Sequence, residues 1–273
     1  MTPTELIRLR RSVGINKPIK VKRVGPQQFP KAIEIEYFKE LKAIITAEKE
    51  RYLKVLRPQL ATLAGRLDAA DGASVERAKE IISRMKAESV LSDERVAERV
   101  RTQGRRIADA NRKQIQKQMR QAISVELPLR DVGIGDRLRA WTTENVSLIK
   151  SLPDETYGKI ERVLLSGLND GKRWEVIAEE IESRFEVGES RAALIARDQV
   201  GKFYGTVNRE RQTELGLTHY FWDTSRDERV RPEHAAREGE RFAWDDAPSD
   251  GHPGQPINCR CTPRPDFSGL IEK

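Results

Sequence analysis

Apolar runs are what this sequence has least of. In its 273 residues no stretch free of Asp, Glu, Lys and Arg is longer than the one at 251–259, whereas a helix that crosses a bilayer needs about twenty predominantly apolar residues. A membrane-spanning helix is therefore excluded. Aromatic residues make up 6% and hydrophobic residues 37%, against 34% charged, and mean hydropathy is −0.66. Such a chain encloses a core only by laying out amphipathic helices with solvated outer faces, which argues against a compact all-β protein or a large α/β barrel. Cysteine is limited to Cys259 and Cys261, too few and too close together to staple a secreted scaffold. The first residues carry charge with no apolar core of the kind a secretory signal has behind them. Both absences predict synthesis in a reducing cytoplasm.

What is there is charge, unevenly placed. The net charge is +7, and residues 1–31 account for all of it: Arg8, Arg10, Arg11, Lys17, Lys20, Lys22, Arg23 and Lys31 stand against Glu5 alone. With Pro3, Pro18, Pro26 and Pro30 and no helical or strand period, residues 1–30 read as a basic extended arm suited to a polyanion or an acidic protein surface. The same composition also describes a solvated terminus without a ligand.

Beyond the arm, apolar residues recur every three or four positions through residues 31–57 (Ile33, Tyr37, Leu41, Ile44, Ile45, Tyr52), which predicts a long amphipathic helix with a kink or break at Pro58. The period returns from Val75 to Met85, and from Val96 to about Ser124. Within this last helix Arg95, Arg99, Arg101, Arg105, Arg106, Arg112, Lys113, Lys117 and Arg120 face only Glu98 and Asp109. The stripe has no aromatics to stack bases, so it suits sequence-independent phosphate contact or an ordinary solvated face. After Gly133 the spacing predicts shorter helices, one opened by Pro153, one stopped by Gly188 and a last one running to Gly216. His219 to Trp222 is the one clear strand signal. The expected organisation is mainly α: a basic arm (1–30), an elongated helical region (31–130), a helical domain (131–218), a small α+β module (219–267) and a tail (268–273).

All histidines and cysteines, His219, His234, His252, Cys259 and Cys261, lie in the last 55 residues. Imidazole and thiolate together suit zinc, so His234, Cys259 and Cys261, with His252 or Asp227, are the candidate ligands of a structural zinc site. A small loop-rich module with few large apolar groups needs such a staple. Against it, residues two apart in a strand are poorly placed to converge on one metal, and the cysteines equally suit a tight apolar hairpin. Asp227 also reads as a turn residue capping its own backbone two positions on.

The run Ile195-Ala196-Arg197-Asp198-Gln199, the segment from Trp222 through Asp227, Val230, Arg231 and His234, then Gly239 and Phe242, and finally His252-Pro253-Gly254 and Asn258-Cys259-Arg260-Cys261 closely resemble the phage Mu F-like family of minor head proteins. The resemblance covers roughly residues 135–265, with Trp222, Arg231, Gly239 and Arg260 as structural motif positions; where many relatives read Thr-Glu, this chain has Asp198-Gln199. It implies a non-enzymatic virion component of a tailed phage or prophage, located at the portal vertex of the head. The implied partners are the portal protein, capsid or scaffold proteins and phage DNA, in head morphogenesis and DNA packaging or ejection. The arm residues Arg8, Arg10, Arg11, Lys17, Lys20, Lys22 and Arg23, and Arg99, Arg105, Arg106, Arg112 and Lys113 of the stripe, are the candidate DNA or partner contacts. The competing reading is a metal-dependent nuclease or toxin-like enzyme on the same C-terminal module, with Asp227, His234 and His252 as ligands or base. A free DNA-binding regulator lacks a helix-turn-helix signature.

Overall fold

A computed structural model describes residues 21–64, 72–88, 93–124, 128–129, 132–170 and 172–268. In order these form α1 (Lys31–Arg51), a π-helical turn (Tyr52–Leu56), α2 (Arg57–Ala64), α3 (Gly72–Glu88), α4 (Asp93–Ile123), α5 (Ile134–Asn169), α6 (Trp174–Glu214), β1 (His219–Asp223), the short α7 (Pro232–Ala236), β2 (Arg241–Ala243) and β3 (Thr262–Pro265). The chain is mainly helical, with a small antiparallel sheet of order β2-β1-β3 near its C-terminus. Among the described residues no helix is long and apolar enough to cross a membrane.

Local breaker signals mislead at Pro153 and Gly188, while near Pro58 the interruption takes the form of a π-helical turn. The helix does not break at Pro58: the π turn precedes it, with the Arg57 N–H donating to the Tyr52 carbonyl, and the extra residue in that turn absorbs the change in hydrogen-bond register. Pro153 opens no new helix but lies inside α5. Its cost of about 3 kcal/mol or more is met by burial of Ile149, Leu152, Tyr157 and Ile160, each contributing on the order of 1.5–3 kcal/mol. Gly188 does not stop α6; its Cα faces Ile45 and Thr156, whose side chains lie 3.2–3.3 Å from where a Cβ would sit. It is a close-packing glycine. The stop comes where expected, at Gly216 (φ +79°). There the Leu217 N–H bonds the Gln212 carbonyl and the Gly216 N–H bonds that of Thr213, a Schellman cap.

The fold comprises two compact units, Ile35–Arg99 with Thr143–Ala196, and Met1–Glu34 with Val100–Thr142 and Arg197–Lys273. In the first, buried polar pairs tie the helices together: Tyr37 donates to Asn145 (2.8 Å) and Tyr157 to Glu48 (2.7 Å), while Tyr52 packs against Phe185. In the second, Ile115, Met119, Ala122 and Ile123 of α4 share a core with Val24, Leu215, Leu217 and Phe267. A second cluster beside the sheet joins Tyr220, Trp222, Trp244, Cys259 and Cys261.

Residues 21–29 have neither helix nor strand, yet they are stitched into this second unit. The Lys22 N–H reaches the Ala122 carbonyl (3.0 Å). Gln27 is buried, its N–H on Asp223 (3.0 Å), its side-chain amide on Asn208 (2.7 Å) and its carbonyl accepting the Thr262 hydroxyl (2.9 Å). Asp223 is also gripped by Arg264 through Nε at 3.1 Å. Burial raises the Asp223 pKa above the usual carboxylate range, with Arg264 and the Gln27 N–H pulling it back.

Candidate functional site

The C-terminal module is held to α6 by glycine. Gly201 and Gly205, one helical turn apart and so on one face, have no side chain to keep neighbours away. A Cβ on Gly201 would lie 2.6 Å from the Cys259 carbonyl oxygen, and one on Gly205 2.6 Å from that of Pro253. The segment carrying both cysteines therefore rests directly on helix backbone. Asp198, one turn earlier, accepts the Asn258 N–H at 3.0 Å. Asn258 itself adopts a left-handed conformation (φ +59°), which turns the chain ahead of Cys259.

That turn removes the objection to the Cys-x-Cys spacing. Both cysteines precede β3, and the Cys261 N–H points at the Cys259 sulfur (3.4 Å), as does the Gly254 N–H (3.5 Å). Both sulfurs face one atom, Nδ1 of His234, at 3.6 Å for Cys259 and 3.5 Å for Cys261. Among the described residues the three donor atoms form one buried group, all within 4.8 Å of one another. His234 comes from α7, which Pro232 opens, and its ring packs edge-on against Trp222 (5.1 Å). Its other nitrogen, Nε2, is 2.7 Å from Asp250, whose second oxygen accepts from Arg237 at 2.6 Å. With Nε2–H donating to Asp250, the Nδ1 lone pair is left aimed at the sulfurs.

The two thiols are unlike. Cys259 is lowered to about 6 by the hydrogen bond from Cys261, against the opposing effect of burial and helped by the Gly254 and Cys261 N–H groups. Cys261 is pushed up by the same hydrogen bond and by burial. One sulfur is poised as thiolate and the other shares its proton.

Of the five candidate ligands the structure brings together His234, Cys259 and Cys261 and not the other two. His252 points into the aromatic cluster, its Nδ1 3.0 Å from the Tyr220 hydroxyl and its ring 5.0 Å from that of Trp244. Burial and then Arg209 lower its pKa. Asp227 accepts the Arg229 N–H at 3.1 Å, two positions on, and Arg260 at 2.9 Å. It borders a cavity of about 100 Å³ beside the cluster, together with Arg197, Arg229, Arg231, Arg260 and Asn258.

The motif residues have structural places. Arg231 donates to the Ile257 carbonyl (2.6 Å). Gly239, at φ +78°, donates to the Trp222 carbonyl (2.7 Å). Of the candidate DNA or partner residues, Arg8, Arg10, Arg11, Lys17 and Lys20 lie outside the described residues. Lys22, Arg23, Arg99, Arg105 and Lys113 are exposed, and Arg106 and Arg112 are half-buried. Sequence reasoning missed Asp250, the Gly201/Gly205 seat and Arg211. Arg211 is fully buried, donates to the Ala108 carbonyl and to Asn111 (2.8 Å), and has its pKa lowered by burial and then by Arg112 to about 10.

Residues 158–264 match the family described as Phage Mu protein F like protein. The segment is similar to that family and makes up less than half of the chain. The Mu F-like segment contains His234, Asp250, Cys259 and Cys261, the glycine seat and the first two strands, so the whole thiol–imidazole cluster lies within the matched region. An uncharacterized protein of Haemophilus influenzae strain Rd is 28% identical over 262 residues, covering 92% of this chain and 57% of its own length. The chain thus spans little more than half of that relative. No solved structure matches it.

Proposed function

We propose that the chain is a minor head protein of a tailed phage or prophage, acting in head morphogenesis at the portal vertex and in DNA packaging or ejection. The observation that carries this reading is the Mu F-like match over residues 158–264, a family whose membership points to phage head morphogenesis. The basic arm and the cationic face of α4 support a place beside DNA, since a surface that meets any genome gains from sequence-independent phosphate contact. Portal, capsid or scaffold proteins are the protein partners of this reading.

A role without turnover fits the carboxylates around the cluster, since an exchangeable water on a metal is not by itself enough for hydrolysis. A metal-dependent nuclease requires a positioned base near its metal. Asp227 is held by Arg260, and Asp250 by the cluster's own His234 and by Arg237, so both carboxylates already have partners. Deleting the gene from the phage or prophage that encodes it tests the reading. The expected outcome is aberrant or non-infectious heads, restored by the wild-type chain in trans; normal yield and infectivity would contradict it.

A further inference from the structure

His234 Nδ1 faces two sulfurs with one lone pair. Its Nε2–H is committed to Asp250, so the neutral ring offers one lone pair to two sulfurs, and any proton left on them must be shared between the two. A cation between the three atoms would satisfy all three at once, and the distances fit a zinc ion as well as they fit hydrogen bonds. Zinc bonds thiolate at about 2.3 Å and imidazole at about 2.0–2.1 Å in tetrahedral geometry, which separates N from S by about 3.6 Å. The two separations here are 3.6 and 3.5 Å.

We propose that His234 Nδ1, Cys259 Sγ and Cys261 Sγ bind one zinc ion, with a water molecule as fourth ligand in the adjoining cavity, and that this ion staples the C-terminal module. The rest of the shell agrees. Asp250 fixes the imidazole tautomer, as carboxylates behind zinc-bound histidines do, and the Gly254 and Cys261 N–H groups support thiolate charge on Cys259. Among the described residues the group has no fourth protein ligand: Asp227 is held by Arg260 and His252 by Tyr220. The cavity of about 100 Å³ has room for water. Asn258 borders it, and the buried side-chain oxygen of Asn258 has no hydrogen-bond partner, which supplies an acceptor for a proton of that water. The ion would join α7 to the strand-leading turn across 25 and 27 residues of chain. The inference stands whether or not the chain is a head protein, since it rests on the donor geometry alone.

The test is the metal content of the full chain, purified without a polyhistidine tag and measured by inductively coupled plasma mass spectrometry. About one zinc per chain is expected. Cys259→Ser with Cys261→Ser, and His234→Ala, should each abolish it, and Asp250→Asn should weaken zinc binding about 10–100-fold without changing the stoichiometry at saturation. Cobalt substitution should give the visible bands of a tetrahedral centre with a thiolate charge-transfer band, and added azide should shift them by displacing the water. Folded native chain without zinc, or holding iron or copper in its place, overturns the site. Retention of zinc by the double cysteine variant overturns the ligand assignment, and a cobalt spectrum indifferent to azide overturns the water as fourth ligand.

Discussion

Single residues divide into those whose rarity announces them and those whose partners do. His234, Cys259 and Cys261 were legible because the chain has only three histidines and two cysteines, gathered near one end. Asp250 was not, being one of 43 acidic residues and sixteen positions from the histidine it orients. Asp223 and Arg264 are a second case, a buried pair visible only once β1 and β3 are aligned. Replacing Arg264 by Met leaves the Asp223 carboxylate buried without its cation and should cost about 3–5 kcal/mol in urea unfolding. Adding Asp223→Asn, which keeps an acceptor for the Gln27 N–H, should recover most of that loss. Asp266 gives the acid response. Burial alone would raise its pKa, but the Ser268 hydroxyl, Arg241 and the Ser268 N–H together hold it below the usual range. A depressed folded pKa supplies stability that is present above the unfolded value, about 3.9, and is lost as pH falls through the folded one. Asp266→Asn should therefore flatten the decline in melting temperature below about pH 4 and leave its shape near neutrality unchanged.

At the scale of elements, period was a better guide than punctuation. The extent of α4, ending at Ile123, and the stop of α6 near Gly216 follow from apolar spacing and a positive-φ glycine. Pro153 and Gly188 misled because a breaker counts only against what its helix buries, and burial partners come from distant sequence. The strands β2 and β3 carried no signal of their own. They are three and four residues long, and the sequence of β3, Thr-Pro-Arg-Pro, belongs in a sheet only at an edge, where the strand order puts it. The glycine seat gives a prediction with a decisive sign. In a helix interior Gly→Ala ordinarily stabilises by about 1 kcal/mol, but at Gly205 the added methyl would meet the Pro253 carbonyl. Gly205→Ala should instead destabilise by about 1–3 kcal/mol, measured by chemical denaturation.

Each compact unit is assembled from separate stretches of chain, an arrangement that one-dimensional patterning does not report: Val24, Met119, Leu215 and Phe267 share a core across nearly the whole sequence. The described end of the arm belongs to that assembly, so its charges are best removed by substitution rather than truncation beyond position 20. Changing Arg8, Arg10, Arg11, Lys17 and Lys20 to Gln should weaken binding to random duplex DNA at low salt. It should also reduce the slope of log K against log salt by about 0.9 for each phosphate the arm no longer neutralises; an unchanged slope would remove the arm from the DNA-binding account. The proposal that this is a virion protein of the head is tested most directly by quantitative mass spectrometry of purified particles from the phage or induced prophage that encodes the chain. The chain is expected to copurify with portal and capsid proteins through density-gradient banding, at a copy number far below that of the major capsid protein. Full particles that lack it, with the chain recovered only from the soluble lysate, would contradict that account.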